Sequence, residues 1–166
     1  MAKSEHARGA TQPAGGTSED LSAEEIATLL FAIEEEKLAG DVYEAFADLY
    51  DARIFDQIAG SEDRHLDALL RQADRLGVDT SELPTGTGEF LDAELQELYE
   101  TLLAKGSLSY EDALEVGIHI ENEDLLTLQA AQDETDDPGL DRAYASLEDG
   151  SENHLAAFTA AYELLG

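Results

Sequence analysis

Large apolar residues recur at alternating steps of three and four along four long segments, and each of these lines is interrupted near its middle by polar groups. The first line reads Leu29, Ile33, Glu36, Gly40, Tyr43, Ala47, Tyr50, the spacing that keeps side chains on one face of a helix packed against its neighbours. Ser22 with Glu25 three residues later forms a capping box that starts the helix. Glu36 is the one charge on the line. Glu34, Asp41, Glu44 and Asp48 fall off it and read as a solvated face. Glu35 shares a flanking row with Phe31, Leu38 and Val42, and a register shift of one residue would make Glu35 the inward acid instead of Glu36.

After a break near Asp51, a second helix runs to about Leu76 and stops at Gly77. Its line is Ile58, Glu62, His65, Leu69, Leu76, so a carboxylate and an imidazole three residues apart share the face expected to be buried. Residues 78–91 are rich in Gly, Thr and Pro and read as a long crossover. A short amphipathic helix over roughly Asp92 to Lys105, stopped by Gly106, is expected to cover one end. Ser109, with Asp112 three residues on, caps the next long helix. There the line is Tyr110, Leu114, Gly117, Glu121, Asp124, Leu128, Ala131, with His119, Asn122 and Glu123 pointing elsewhere. Asp136 to Gly139 form a turn with Pro138 near the first helical position. The last line is Leu140, Tyr144, Leu147, Ser151, His154, Phe158, Ala161, Leu165, with Glu152 outward. Gly150 lowers helix propensity and points to close packing or a local irregularity beside the site. The pattern predicts an all-α four-helix bundle with a long crossover and a short additional helix.

The 166 residues suit one domain over 21–166. Residues 1–20 hold few large apolar groups and read as a disordered tail, with His6 a solvated histidine. Nine basic residues stand against 39 acidic ones, a formal net charge of -30, which argues against nucleic acid and anionic membranes as partners. Such self-repulsion is screened at molar salt, where the Debye length is roughly 3 Å. The surface therefore resembles that of proteins from extreme halophiles. There is no cysteine, which removes disulfides, thiolate metal sites and thiol catalysis and leaves Asp, Glu and His as metal ligands. With no apolar run of about 18 residues and no signal-like N-terminus, a cytoplasmic protein is the default.

That charge distribution changes the reading of the polar interruptions. Halophilic acids belong on the solvent side, yet all four long helices place polar groups at mid-length on the inward line: Glu36; Glu62 and His65; Glu121 and Asp124; Ser151 and His154. Burying an ionised carboxylate costs several kcal/mol unless it is paired or bound to a metal. A satisfied polar layer would have to keep four carboxylates together without cations, whereas two divalent ions would neutralise Glu36, Glu62, Glu121 and Asp124. Mixed carboxylate and imidazole ligands suit iron or manganese better than calcium or magnesium.

The segments EEEKLAGDVY, SEDRHLDAL, SLSYEDALEVG and SENHLAAF resemble the ferritin-like superfamily over residues 22–165, in particular a prokaryotic branch known mainly as a domain of unknown function. Glu36 precedes Tyr43 by seven residues as in the first-helix signature of ferritins and rubrerythrins, and Glu62-x-x-His65 is similar to their second-helix motif. The resemblance implies a di-iron carboxylate centre reacting with O2 or peroxide in oxidative-stress defence or iron handling. It implies Glu36 and His65 as terminal ligands of one ion, Glu62 as a bridge, Glu121 and His154 at the second ion, and Tyr43 as hydrogen-bond partner or electron donor. Ser151 departs from the pattern, standing where a second bridging Glu is expected. Asp124 is then the candidate to supply the missing oxygen. Without cysteine-ligated iron in the chain, an electron donor would be a separate protein. Pairing into a homodimer could use the apolar row Phe31, Leu38, Val42, Phe46, unless that row meets the short helix. A non-catalytic metal-binding or purely structural bundle is the alternative.

Overall fold

A computed structural model describes residues 21–166, which form five helices and, among the described residues, no strand. They are α1 (Ala23–Tyr50), α2 (Arg53–Leu76), α3 (Ala93–Gly106), α4 (Tyr110–Glu134) and α5 (Pro138–Glu163). The tail expected over residues 1–20, with His6, lies outside the described residues. The helix starts follow from local chemistry. Ser22 accepts from the Glu25 amide at 3.1 Å while its own amide donates to the Glu25 carboxylate at 2.8 Å. The Ser109 side chain accepts from the Asp112 amide, and Asp137 caps α5 with Pro138 in its first turn. Gly77, at φ 72°, ends α2 as its αL cap. Gly106 differs from expectation: it is the last residue of α3 and Ser107 is the cap. The glycine serves a close approach, because a Cβ there would run into the Phe46 ring.

α1 packs on α2 and α4, and α5 packs on the same two helices, so the four long elements surround a shared interior. Asp51, in the left-handed region at φ 49°, turns the chain back between α1 and α2. No helix among the described residues is long and apolar enough to cross a membrane. α3 lies on α1 and α4, where Leu95 and Leu102 join Leu38, Val42 and Phe46 in one buried cluster. Most of the flanking row on α1 therefore meets the short helix and is not a free surface for pairing. Phe31 alone of that row is left half-buried.

The connection from α2 to α3 is pinned to α1 by acids that sequence spacing placed in solvent. Glu34 is buried and accepts hydrogen bonds from the Leu91 and Asp92 amides. Asp41 pairs with Lys37 at 2.6 Å and accepts from the Gly88 amide at 2.9 Å, while Lys37 also donates to the Gly86 carbonyl. An irregular segment packed on a helix needs partners for its backbone groups, and these side chains provide them.

Two apolar clusters fill the interior. One contains Tyr43, Phe46, Phe55, Ile58, Leu114 and Phe158. The other contains Leu29, Ile33, Leu69, Leu128, Leu140, Tyr144 and Leu147. In sequence order along each long helix, the buried polar residues Glu36, Glu62, Glu121, Ser151 and His154 fall between residues of the two clusters. The last predicted position, Leu165, is beyond α5 and half-exposed, so the inward line ends at Ala161, which is half-buried against the cluster that holds Phe158.

Candidate metal centre

The middle layer is assembled from single turns of four helices. From α2, Glu62 and His65 are one turn apart on the inward face, with His65 Nδ1 2.8 Å from Glu62 Oε2. Glu36 of α1 brings its Oε2 to 3.2 Å from the same nitrogen. On the other side of Glu62, Oε1 lies 2.8 Å from Nδ1 of His154 on α5, and Glu121 Oε2 of α4 lies 3.5 Å from that nitrogen. The result is two triads, Glu36–Glu62–His65 and Glu62–Glu121–His154, each offering three ligand atoms within 4.8 Å of one another and sharing Glu62. The two imidazoles stack at 5.5 Å between centroids with 26° between planes.

Several of these atoms are close without being bonded. Glu36 Oε1, Glu62 Oε1 and His154 Nδ1 are buried and make no hydrogen bond, although the last two are only 2.8 Å apart. Distance and bonding disagree because the oxygen lies off the direction in which a ring N–H would donate. Atoms placed this way are near one another yet keep unshared lone pairs. Two ligands about 2.1 Å from one cation at a right angle are themselves about 3 Å apart, so the donor set and its spacing fit a bound divalent ion. Buried polar groups are otherwise almost always hydrogen-bonded.

Charge tells the same story. Burial, reinforced by Asp124 and Glu62, raises the Glu36 carboxyl well above the ordinary range. Burial also raises Glu121 to about 8, against the opposing contact with His154. Glu62 is buried as well, but contacts with both imidazoles outweigh that and lower it to about 2. His154, whose burial disfavours its charged form, is nevertheless raised to about 10 by Glu121 and Glu62. Without a cation, the layer therefore keeps Glu62 ionised against imidazolium and forces Glu36 and Glu121 towards their neutral forms. Metal binding would reverse that, displacing protons from the carboxyls.

The other residues singled out from the sequence take distinct places. Tyr43 is fully buried and donates to Glu121 Oε1 at 2.7 Å, and burial followed by the Glu121 charge raises its phenol well above the usual value. Asp124 stands outside both triads: it accepts a hydrogen bond from Ser151 Oγ, and burial raises it to about 6. Ser151 is thus paired with the acid on the facing helix. Of the two neighbouring acids on α1, Glu36 joins a triad, whereas Glu35 faces a small cavity lined also by Leu38, Leu95, Ile120 and Asp124. Burial, with Asp124 close by, raises Glu35 to about 8. Glu123 and His119 are exposed at that cavity's edge. Gly150 has a role that propensity only hinted at. A Cβ there would lie 2.5 Å from His65 Nε2, so the missing side chain gives the imidazole its place.

Comparison with known proteins places this geometry in context. The model of the family described as an uncharacterized protein domain, DUF2202, matches residues 25–166. The uncharacterized protein MJ0754 of Methanocaldococcus jannaschii is 36% identical over 138 residues, 83% of this chain and 75% of that protein. The crystal structure of the hypothetical protein MJ0754 aligns with a TM-score of 0.85 at 33% identity, covering 96% of this chain and 87% of that one.

Proposed function

We propose that this chain, which belongs to the DUF2202 family, is a ferritin-like four-helix bundle that holds two iron ions and reacts with O2 or peroxide in cytoplasmic oxidative-stress defence or iron handling. The observation that carries the reading is the placement of Glu62. One carboxylate faces two imidazoles through its two oxygens, each at 2.8 Å, as a ligand shared by two ions would. Di-metal bundles draw a Glu from each of two helices and a Glu-x-x-His from each of the other two, and this interior differs from that set only at Ser151.

Glu36 and His65 would hold one ion, Glu121 and His154 the other, and Glu62 both. Four carboxylates, counting Asp124, balance two divalent charges. Bound iron would supply one-electron chemistry towards O2 or peroxide; manganese suits the same ligands. Tyr43 occupies Glu121 Oε1, so that carboxylate presents Oε2 to the centre, an outer contact of the kind that orients a ligand. The apolar clusters on both sides exclude water from the layer. Ser151 favours a second reading, a non-catalytic metal-holding protein, since a hydroxyl bonded to Asp124 leaves Glu62 as the single shared carboxylate.

Elemental analysis after anaerobic loading with Fe(II) in high salt tests both. About two irons per chain, with peroxide consumed by the loaded protein, supports the first reading. One iron and no consumption supports the second, and no bound metal refutes both. Glu62→Ala and His65→Ala should each remove most of the metal while Glu123→Ala retains it; equal loss from all three would sink the assignment.

A further inference from the structure

Among the described residues, four buried side-chain atoms lack a hydrogen-bond partner: three belong to the metal layer and the fourth is Glu35 Oε2. That oxygen sits apart from the two triads. Glu35 lines a cavity of about 20 Å³ between α1, α3 and α4, walled by leucines such as Leu38, Leu95 and Leu98, where an unpaired carboxylate oxygen is costly to bury. Asp124 lines the same cavity. Its Oδ2 accepts from Ser151 Oγ, and its Oδ1 has no hydrogen-bond partner among the described residues.

The cavity lies between solvent and the layer. His119 and Glu123 are exposed at its edge, which puts an imidazole and a carboxylate at the mouth. Inward, Asp124 is bonded to Ser151 of the layer, and after burial itself it is the charge that most raises both Glu35 and Glu36. Asp124 thus stands between the cavity and the first triad. Charge favours this side for a cation: α4 carries eight acids and no lysine or arginine, whereas α2 carries four of the chain's six arginines. A volume of about 20 Å³ holds about one water, so it admits a bare divalent ion and not a full hydration shell.

We propose that Glu35 and Asp124 form a further divalent-cation site, weaker than the two triads, and, resting on the function proposed above, that Fe(II) or Mn(II) occupies it in passing from the His119–Glu123 mouth to the centre. Two carboxylates with water are an incomplete shell for such an ion, so it binds loosely and moves on. Glu35 and Asp124 replace the waters that the ion sheds, so it does not meet the leucine wall uncompensated.

Mn(II) titrations of the full chain in about 1 M KCl, read by loss of the free-ion EPR signal, test the site apart from the centre. E62A/H65A, which lacks the centre, should still bind about one Mn(II) per chain. Adding E35Q or E35A should weaken that binding about tenfold and adding E152Q should not, with circular dichroism showing every variant folded. No binding by E62A/H65A, or equal binding after E35Q, overturns the site and leaves the cavity an ordered water only. Stopped-flow Fe(II) uptake tests the route: E35Q alone should slow filling of the centre about tenfold and reach the same final content, and an unchanged rate overturns the transit role. A wild-type chain holding a single ion that E35Q removes and E62A/H65A keeps would leave the site standing and sink the two-iron function, so the two failures are distinguishable.

Discussion

The aromatic end of the interior and the polar layer beside it are both buried, yet they are held by different forces. Tyr43, Phe46, Phe55 and Phe158 pack with ring centroids 5.1–6.2 Å apart, and each buried ring adds stability independent of pH and ions. One turn or so away, Glu36, Glu62, Glu121 and His154 are as deeply enclosed, but their burial opposes ionisation and leaves three atoms unbonded. One region explains why the chain folds. The other gathers buried acids and imidazoles that could hold a metal ion.

The comparison is broken most directly at the aromatic end. Phe158→Ala removes a fully buried ring that packs against Tyr43, Phe55 and Gly117, and should lower unfolding stability by about 3–5 kcal/mol in urea titrations, with or without metal. A much smaller loss would mean that the polar layer carries more of the fold's stability than the aromatic end does.

The polar layer should respond to pH where the aromatic end does not. Glu121 rises from 4.5 to about 8 on folding, so across that window the folded chain holds a proton that the unfolded chain releases. Its contribution is complete below 4.5 and lost as pH rises through 8. His154, raised from 6.5 to about 10, has the same sign over its own window. Glu62, lowered from 4.5 to about 2, has the opposite sign and is stabilising above 4.5. The metal-free chain should therefore lose urea stability steadily from about pH 5 to 10, and bound divalent metal should flatten the slope. A flat profile without metal would show that the carboxyls are not buried as described.

The smallest effect sharpens the contrast within the layer. Gly150→Ala should leave folding stability nearly unchanged, since alanine favours the helix by up to about 1 kcal/mol. It should weaken metal binding about tenfold by displacing the His65 ring. Equilibrium dialysis checks this, and unchanged affinity would free His65 from its proposed dependence on Gly150.

Much of this was legible along the chain. The caps at Ser22 and Ser109, the stop at Gly77 and the inward lines of the four long helices depend on residues within a few positions of each other, and local chemistry decides them. Glu36, Glu62, Glu121 and His154 were readable as inward because polar groups interrupted an apolar period. Glu34 and Asp41 were misread because their partners, the amides of residues 88, 91 and 92, lie about fifty positions away.

The sequence by itself determined where the four long helices begin and which line of each one faces inward, because hydrogen bonding at a helix end and a period of 3.6 residues are short-range facts. Only the tertiary structure decided that Glu62 faces two imidazoles at once, that Asp124 pairs with Ser151, and that Glu36 joins the layer while Glu35 faces a separate cavity. Those outcomes depend on how helices distant in sequence are rotated against one another, and that rotation is set by the packing of the whole interior.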